Sequence, residues 1–164
     1  MPRPRAIPSD HPAFAGLPVS MVTLSTGVRA AVHVAGTLSR HRVPVVCIAG
    51  YQRNMSDFTA FAAFFRRLGE STPPVVLLDL PGRGRADNRI RAEDYNTLND
   101  ARDVAAIITA LGIEQAVVLG QGQGGQVAMA LAAAHPLLVA GTILLDSGPV
   151  TDSRGIVRLR NNLE

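Results

Sequence analysis

The chain has 164 residues, of which 47% are hydrophobic and 18% charged, and its net charge is +3. That length suits one domain burying roughly 70% of its unfolded surface, and the hydrophobic share excludes a chain too polar to fold. All sixteen basic residues are Arg and they are scattered along the sequence, so no nucleic-acid-binding face is expected. The single cysteine, Cys47, excludes an internal disulfide and a cysteine-rich metal site. It lies in the apolar run Val43–Ala49 and reads as a buried strand residue rather than a reactive thiol. No apolar run is long enough for a transmembrane helix, and no membrane association is expected. Residues 1–18 carry Arg3 and Arg5 but are broken by five prolines. They read as an irregular arm without the apolar region of a secretory signal, so a cytoplasmic location is expected.

Val19–Leu24 and Val28–Ala35 flank the turn cluster Ser25-Thr26-Gly27 and predict a β-hairpin. Val43–Ala49 is a continuous apolar run, as for a strand buried on both faces of a parallel sheet. After the loop Gly50–Met55, Ser56 is the expected cap of a helix with Asp57 in its first turn. Phe58, Phe61, Ala62, Phe65 and Leu68 form its apolar stripe, and Gly69 ends it. Val75–Leu78 is the next buried strand, and Asp79 at its end reads as a loop-shaping residue. Thr97 is the expected cap of a second helix, paired with Asp100 in a capping-box-like arrangement. Its apolar positions are Leu98, Ala101, Val104, Ala105, Ile108 and Leu111, and Gly112 stops it. A strand at 116–119, a glycine turn, a helix at 124–135 and a strand at Thr142–Leu145 complete the order. A hairpin followed by three strand–helix units and a strand predicts an α/β three-layer architecture with a mainly parallel sheet. Function is then expected at the carboxyl ends of the strands.

The glycine turn fits two patterns. Gly120, Gly122 and Gly125 match a dinucleotide-binding G-x-G-x-x-G, with Asp146 near the place of a ribose-binding acid. Gly120-Gln121-Gly122-Gln123-Gly124 matches the nucleophile elbow G-x-S-x-G except that Gly122 stands where the serine would. The dinucleotide pattern ordinarily opens its fold, whereas here several elements precede it.

Asp79-Leu80-Pro81-Gly82-Arg83-Gly84-Arg85 resembles the D-x-P-G-x-G-x-S loop of the α/β-hydrolase superfamily. Ala49-Gly50-Tyr51 resembles its oxyanion-hole segment, and Arg53-Asn54-Met55-Ser56-Asp57-Phe58 is similar to a stretch of an esterase/lactonase-like bacterial branch. The elbow and Leu145-Asp146-Ser147-Gly148-Pro149 follow in the family's order, so the resemblance covers about residues 19–155. It implies a three-layer α/β-hydrolase-like sheet preceded by the hairpin, with residues 1–18 as the arm and 19–164 as the amino-terminal part of such a domain. The family's cap and last two strands are expected to be absent from it.

The resemblance further implies a small-molecule carboxylic ester or lactone as ligand and no cofactor. The oxyanion donors would be the backbone N–H groups of Tyr51 and Gln123, with Gly50, Tyr51 and Gln121 lining the substrate. Asp146 is a candidate acid, weighed against a structural Asp capping the turn after its strand. Against catalysis, Gly122 carries no hydroxyl, and none of His11, His33, His41 and His135 falls where the family's base would. The chain is therefore expected to be inactive as a hydrolase, with a non-catalytic ligand-binding or interaction role as the alternative. An unpaired sixth strand bearing Ile143, Leu144 and Leu145 is expected to associate with another chain through its edge.

Overall fold

The computed structural model describes residues 17–150; the proline-rich arm and the last fourteen residues lie outside that range, apart from Leu17 and Pro18. The sheet has six strands in the order β1-β2-β4-β3-β5-β6. They are β1 Ser20–Thr23, β2 Arg29–Ala35, β3 Val45–Ile48, β4 Val75–Asp79, β5 Ala116–Gln121 and β6 Val139–Leu145. β2 runs antiparallel to β1 and β4, whereas the β4–β3, β3–β5 and β5–β6 pairs are parallel. The hairpin turn is closed by Gly27, at φ +78°, whose N–H donates to Leu24 O, while Leu24 N donates to Val28 O. The mainly parallel α/β architecture read from the sequence is therefore present.

Three helices cover the sheet: α1 Thr59–Arg67, α2 Thr97–Ala110 and α3 Gln123–Ala134. Alternation along the strands divides the core in two. Val46, Ile48, Val76, Leu78 and Val118 face α2 and α3, where they meet Val104, Ile108, Val127 and Leu131. Val45, Cys47, Val75, Leu77 and Leu119 face the opposite way, onto Met55, Phe58 and Ala62 of the α1 layer. Both faces of β3 and β4 are thus covered, which is why those strands read as unbroken apolar runs. Burial pushes the Cys47 thiol up to about 12, in keeping with an inert core residue.

Several local expectations change. The first helical segment begins as a 3-10 turn at Met55–Phe58, and its cap is Asn54, whose side chain accepts from Ser56 N. Ser56 is not the cap; its hydroxyl donates to the same Asn54 oxygen. In α1 the core-facing residue is Ala62, with Phe61 and Phe65 half-buried at 4.7 Å between ring centroids, while Leu68 is exposed. α2 is capped by Asn96, which accepts from Asn99 N, and not by Thr97. Leu98 faces solvent and Ile107 takes a core position instead. β5 extends two residues further than the apolar run, to Gln121, and α3 begins at Gln123. β6 starts at Val139, because Val139 and Gly141 pair with Ala116 and Val117 of β5, with the register shifting past Ala140 between them.

Candidate functional site at the carboxyl ends of the strands

β5 enters α3 through Gly122 alone, at φ +52° and ψ −117°. The turn works because its neighbours are bare. A Cβ on Gly120 would stand 2.3 Å from Gly124 O, and one on Gly124 would stand 2.3 Å from Ile48 O and 2.7 Å from Ala49 O. Backbone therefore packs on backbone where β3, β5 and α3 meet. A Cβ on Gly122 would meet nothing within 4 Å. Position 122 thus opens onto free space and carries no side chain.

Three further features converge on this point. Gly122 N donates to Leu145 O at 2.9 Å, so the end of β6 lies against the elbow and Asp146 follows immediately. A Cβ on Gly50 would stand 3.3 Å from Gln121 O, which sets Gly50 and Tyr51 beside the end of β5. The N–H of Gln123 belongs to the first turn of α3, ahead of any intrahelical bond. The residues singled out from the sequence, Gly50, Tyr51, Gln121, Gly122, Gln123 and Asp146, thus share one region. Gln52 and Asp146 are non-glycine residues with positive φ, at +54° and +49°. Such backbone costs on the order of 1–3 kcal/mol each and concentrates at binding and catalytic sites. The side chain of Asp146 is exposed and makes no hydrogen bond among the described residues, so the turn-capping role weighed for it is not seen.

The loops around the elbow are tied by groups of opposite character. Asp79 is fully buried; its carboxylate accepts from Met55 N at 2.7 Å and Arg85 N at 2.9 Å, joining the loop after β3 to the loop after β4. Burial holds its pKa above the ordinary carboxylate range, against the pull of those two donors and of Arg85 and Arg83. Gly84 is obligatory beside it, since a Cβ there would fall within 2.5 Å of both carboxylate oxygens. This is the loop-shaping role expected of Asp79.

The sequence reading missed a second tie. Arg83 donates to Asp100 Oδ2 at 2.8 Å and reaches Gln123 Oε1 at 3.4 Å. Arg89 bridges Asp100 at 2.5 Å and Asp103 at 2.8 Å, with all three side chains buried or nearly so. Asp100 is thus not part of a capping box. It is the buried anion that anchors the loop after β4 to α2 and, through Arg83, to the first residue of α3. Arg83 and Arg89 in the loop after β4 and two aspartates about one helical turn apart at 100 and 103 were the available signal.

The histidines lie elsewhere. His33 is buried in β2 with Nδ1 2.7 Å from Pro18 O, and His41 is exposed in the connection before β3. His135 closes α3 at the end remote from Gly122, about 18 Å from Gln123 at ~1.5 Å per residue. His11 lies outside the described residues. No group of His, Cys, Asp or Glu among the described residues could hold a metal ion. No helix among them is long and apolar enough to cross a membrane.

A family profile described as alpha/beta hydrolase fold matches residues 43–159, well over half of the chain. The crystal structure of an alpha/beta hydrolase from Novosphingobium aromaticivorans is similar, with 32% identity and a TM-score of 0.77; the match covers 88% of this chain and 49% of that one. A crystal structure of a serine-to-glycine mutant of the N-acyl homoserine lactonase AidH, complexed with N-hexanoyl homoserine lactone, shares the fold. Its identity is 24% and its TM-score 0.70, over 81% of this chain and 46% of that one. A 2-hydroxy-6-oxononadienedioate/2-hydroxy-6-oxononatrienedioate hydrolase from Paraburkholderia phymatum is 35% identical over 45% of this chain and 25% of its own length. The chain thus spans about half of the solved structures it matches and a quarter of that hydrolase. The strand order and the profile match favour the hydrolase fold over a dinucleotide-binding domain. The chain belongs to the alpha/beta hydrolase fold family.

Proposed function

We propose that this chain holds the carbonyl-binding half of a carboxylic ester or lactone hydrolase site and binds such ligands without forming an acyl-enzyme. The observation that carries the reading is the elbow. Gly122 keeps the backbone that would present a nucleophile, and open space in front of it, but offers no hydroxyl. The donors for the ligand's carbonyl oxygen would be the backbone N–H groups of Tyr51 and Gln123, which survive any change of side chain. Asp146, which follows the end of β6 beside Gly122, is the candidate acid of this reading, and none of the histidines among the described residues lies at the elbow. In another serine hydrolase, loss of the nucleophile lowers turnover by about 2 × 10⁶, so binding is the activity left to measure.

The test pairs two measurements on the full chain. Incubation with p-nitrophenyl acetate and with an N-acyl homoserine lactone is expected to give no release above buffer. Titration with the same lactone is expected to shift the amide resonances of Tyr51 and Gln123 in a saturable way. A hydrolytic rate that tracks the protein through purification and survives Gly122→Ala sinks the inactive reading. Absence of any saturable shift sinks the ligand-binding reading.

A further inference from the structure

We propose that Arg83 is a positioning residue of the elbow: through the side-chain amide of Gln123 it steadies the first turn of α3, so that the Gln123 N–H is held ready for a ligand's carbonyl oxygen. The steadying stands on the geometry of α3, while its consequence for a ligand rests on the reading of the site given above.

The elbow passes into α3 as Gly122-Gln123-Gly124-Gly125. Glycine lacks a Cβ and leaves its backbone free to turn. Gln123 is the one residue of these four with a side chain, so any side-chain restraint on this turn passes through it. The backbone supplies one restraint. Gly125 N donates to Gly122 O at 3.0 Å, in the same peptide unit as the Gln123 N–H. A single hydrogen bond leaves that unit a pivot about which to rock. A second point of attachment is needed to fix its direction.

Arg83 supplies the second point, against an electrostatic cost. The amino end of a helix carries partial positive charge, which disfavours a cation beside it. Asp100 offsets this. Its Oδ2 accepts from Arg83 Nη2 at 2.8 Å, with the Arg83 side chain 15% and the Asp100 side chain 3% exposed. The other oxygen of Asp100 accepts from Arg89, which also pairs with Asp103, so the anion is anchored on α2. The same Arg83 nitrogen reaches Gln123 Oε1 at 3.4 Å, a long but charge-assisted contact. A guanidinium has donors only, so the amide must offer it the oxygen and not the NH2. Through Asp100, Arg83 and Gln123, α2 thus holds the start of α3.

The test reads residue 123 with and without ligand. Nitrogen-15 relaxation of the ligand-free parent is expected to give the Gln123 N–H an order parameter of about 0.85, as for rigid backbone. In Arg83→Leu it is expected to fall toward about 0.6, while the middle of α3 stays rigid. In titrations with the N-acyl homoserine lactone, Arg83→Leu and Gln123→Leu are each expected to weaken binding about tenfold. The double variant is expected to lose no more, as for residues acting through one contact. Arg83→Lys is expected to restore most of the affinity, because a single nitrogen serves both Asp100 and Gln123. Should Arg83→Leu fail to fold, Gln123→Leu leaves the Arg83–Asp100 pair intact and carries both measurements. An unchanged order parameter, a loss of rigidity spread evenly along α3, unchanged affinity, or additive losses in the double variant would each overturn the proposal. A parent that binds no lactone overturns the ligand reading, and the relaxation measurement still decides whether Arg83 holds the turn.

Discussion

Gly122 and Gly124 are two residues apart and are glycines for different reasons. At Gly122 the constraint is backbone conformation: φ is +52° and the space a side chain would enter is empty. At Gly124 the backbone is ordinary helix, and the constraint is contact with the carbonyl oxygens of Ile48 and Ala49. The two alanine variants should therefore separate. Gly122→Ala is expected to lower stability by about 1–3 kcal/mol, the cost of holding a Cβ at positive φ. Gly124→Ala must push β3 away from α3 and is expected to cost about 3 kcal/mol or more, the upper range for overpacking. Urea denaturation of both variants reads the difference, and equal losses would show that the approach at Gly124 relaxes freely. Of these two requirements only the first is visible in a motif. The second depends on β3 lying against α3, which no spacing within residues 120–125 records.

Asp79 ties the loop after β3 to the loop after β4, and it does so as a buried carboxylate whose pKa burial raises. Between the ordinary carboxylate value and the raised one, the folded state keeps a proton that the unfolded state has released. Stability therefore falls as pH rises through that interval. Asp103 is raised as well, again chiefly by burial, and contributes with the same sign. Asp87 is lowered by its bond to Arg29, so its contribution is present above the ordinary carboxylate range and is lost as pH falls through the folded value. In Asp79→Asn the fall with rising pH is expected to be smaller than in the parent. At pH 7 the variant is also expected to lose about 1–3 kcal/mol, because an amide NH2 must face one of the two N–H donors. Urea midpoints collected from pH 4 to 8 check both statements. An undiminished slope would place the effect on Asp103 alone.

At the scale of the molecule, the elements that were legible are those whose residues answer to one constraint. Val45–Ile48 and Val75–Asp79 are covered on both faces, so burial alone writes their sequence. Val139–Gly141 was not legible, because small residues give no apolar run and only pairing with β5 makes them a strand. The caps Asn54 and Asn96 each lie within two residues of a serine or threonine equally able to serve, so composition could not choose between them. The region holding Gly50, Tyr51, Gly122 and Asp146 could be read by resemblance because its loops sit at fixed strand ends. The link from Arg83 through Asp100 to α2 spans seventeen residues and exists only once the loop after β4 folds back.

The same distinction decides what a serine at 122 would do. Gly122→Ser has room for its hydroxyl at the apex of the elbow and the backbone to present it. A hydroxyl becomes a useful nucleophile when a base takes its proton. His33 is sequestered against Pro18, and His135 caps the far end of α3. Gly122→Ser is therefore expected to give no catalytic turnover of p-nitrophenyl acetate, although its lactone binding should remain within a few-fold of the parent. Burst kinetics with stopped-flow absorbance would detect even a single acylation. Sustained turnover by the variant would mean that a base reaches residue 122 after all, and would overturn the proposal of binding without turnover.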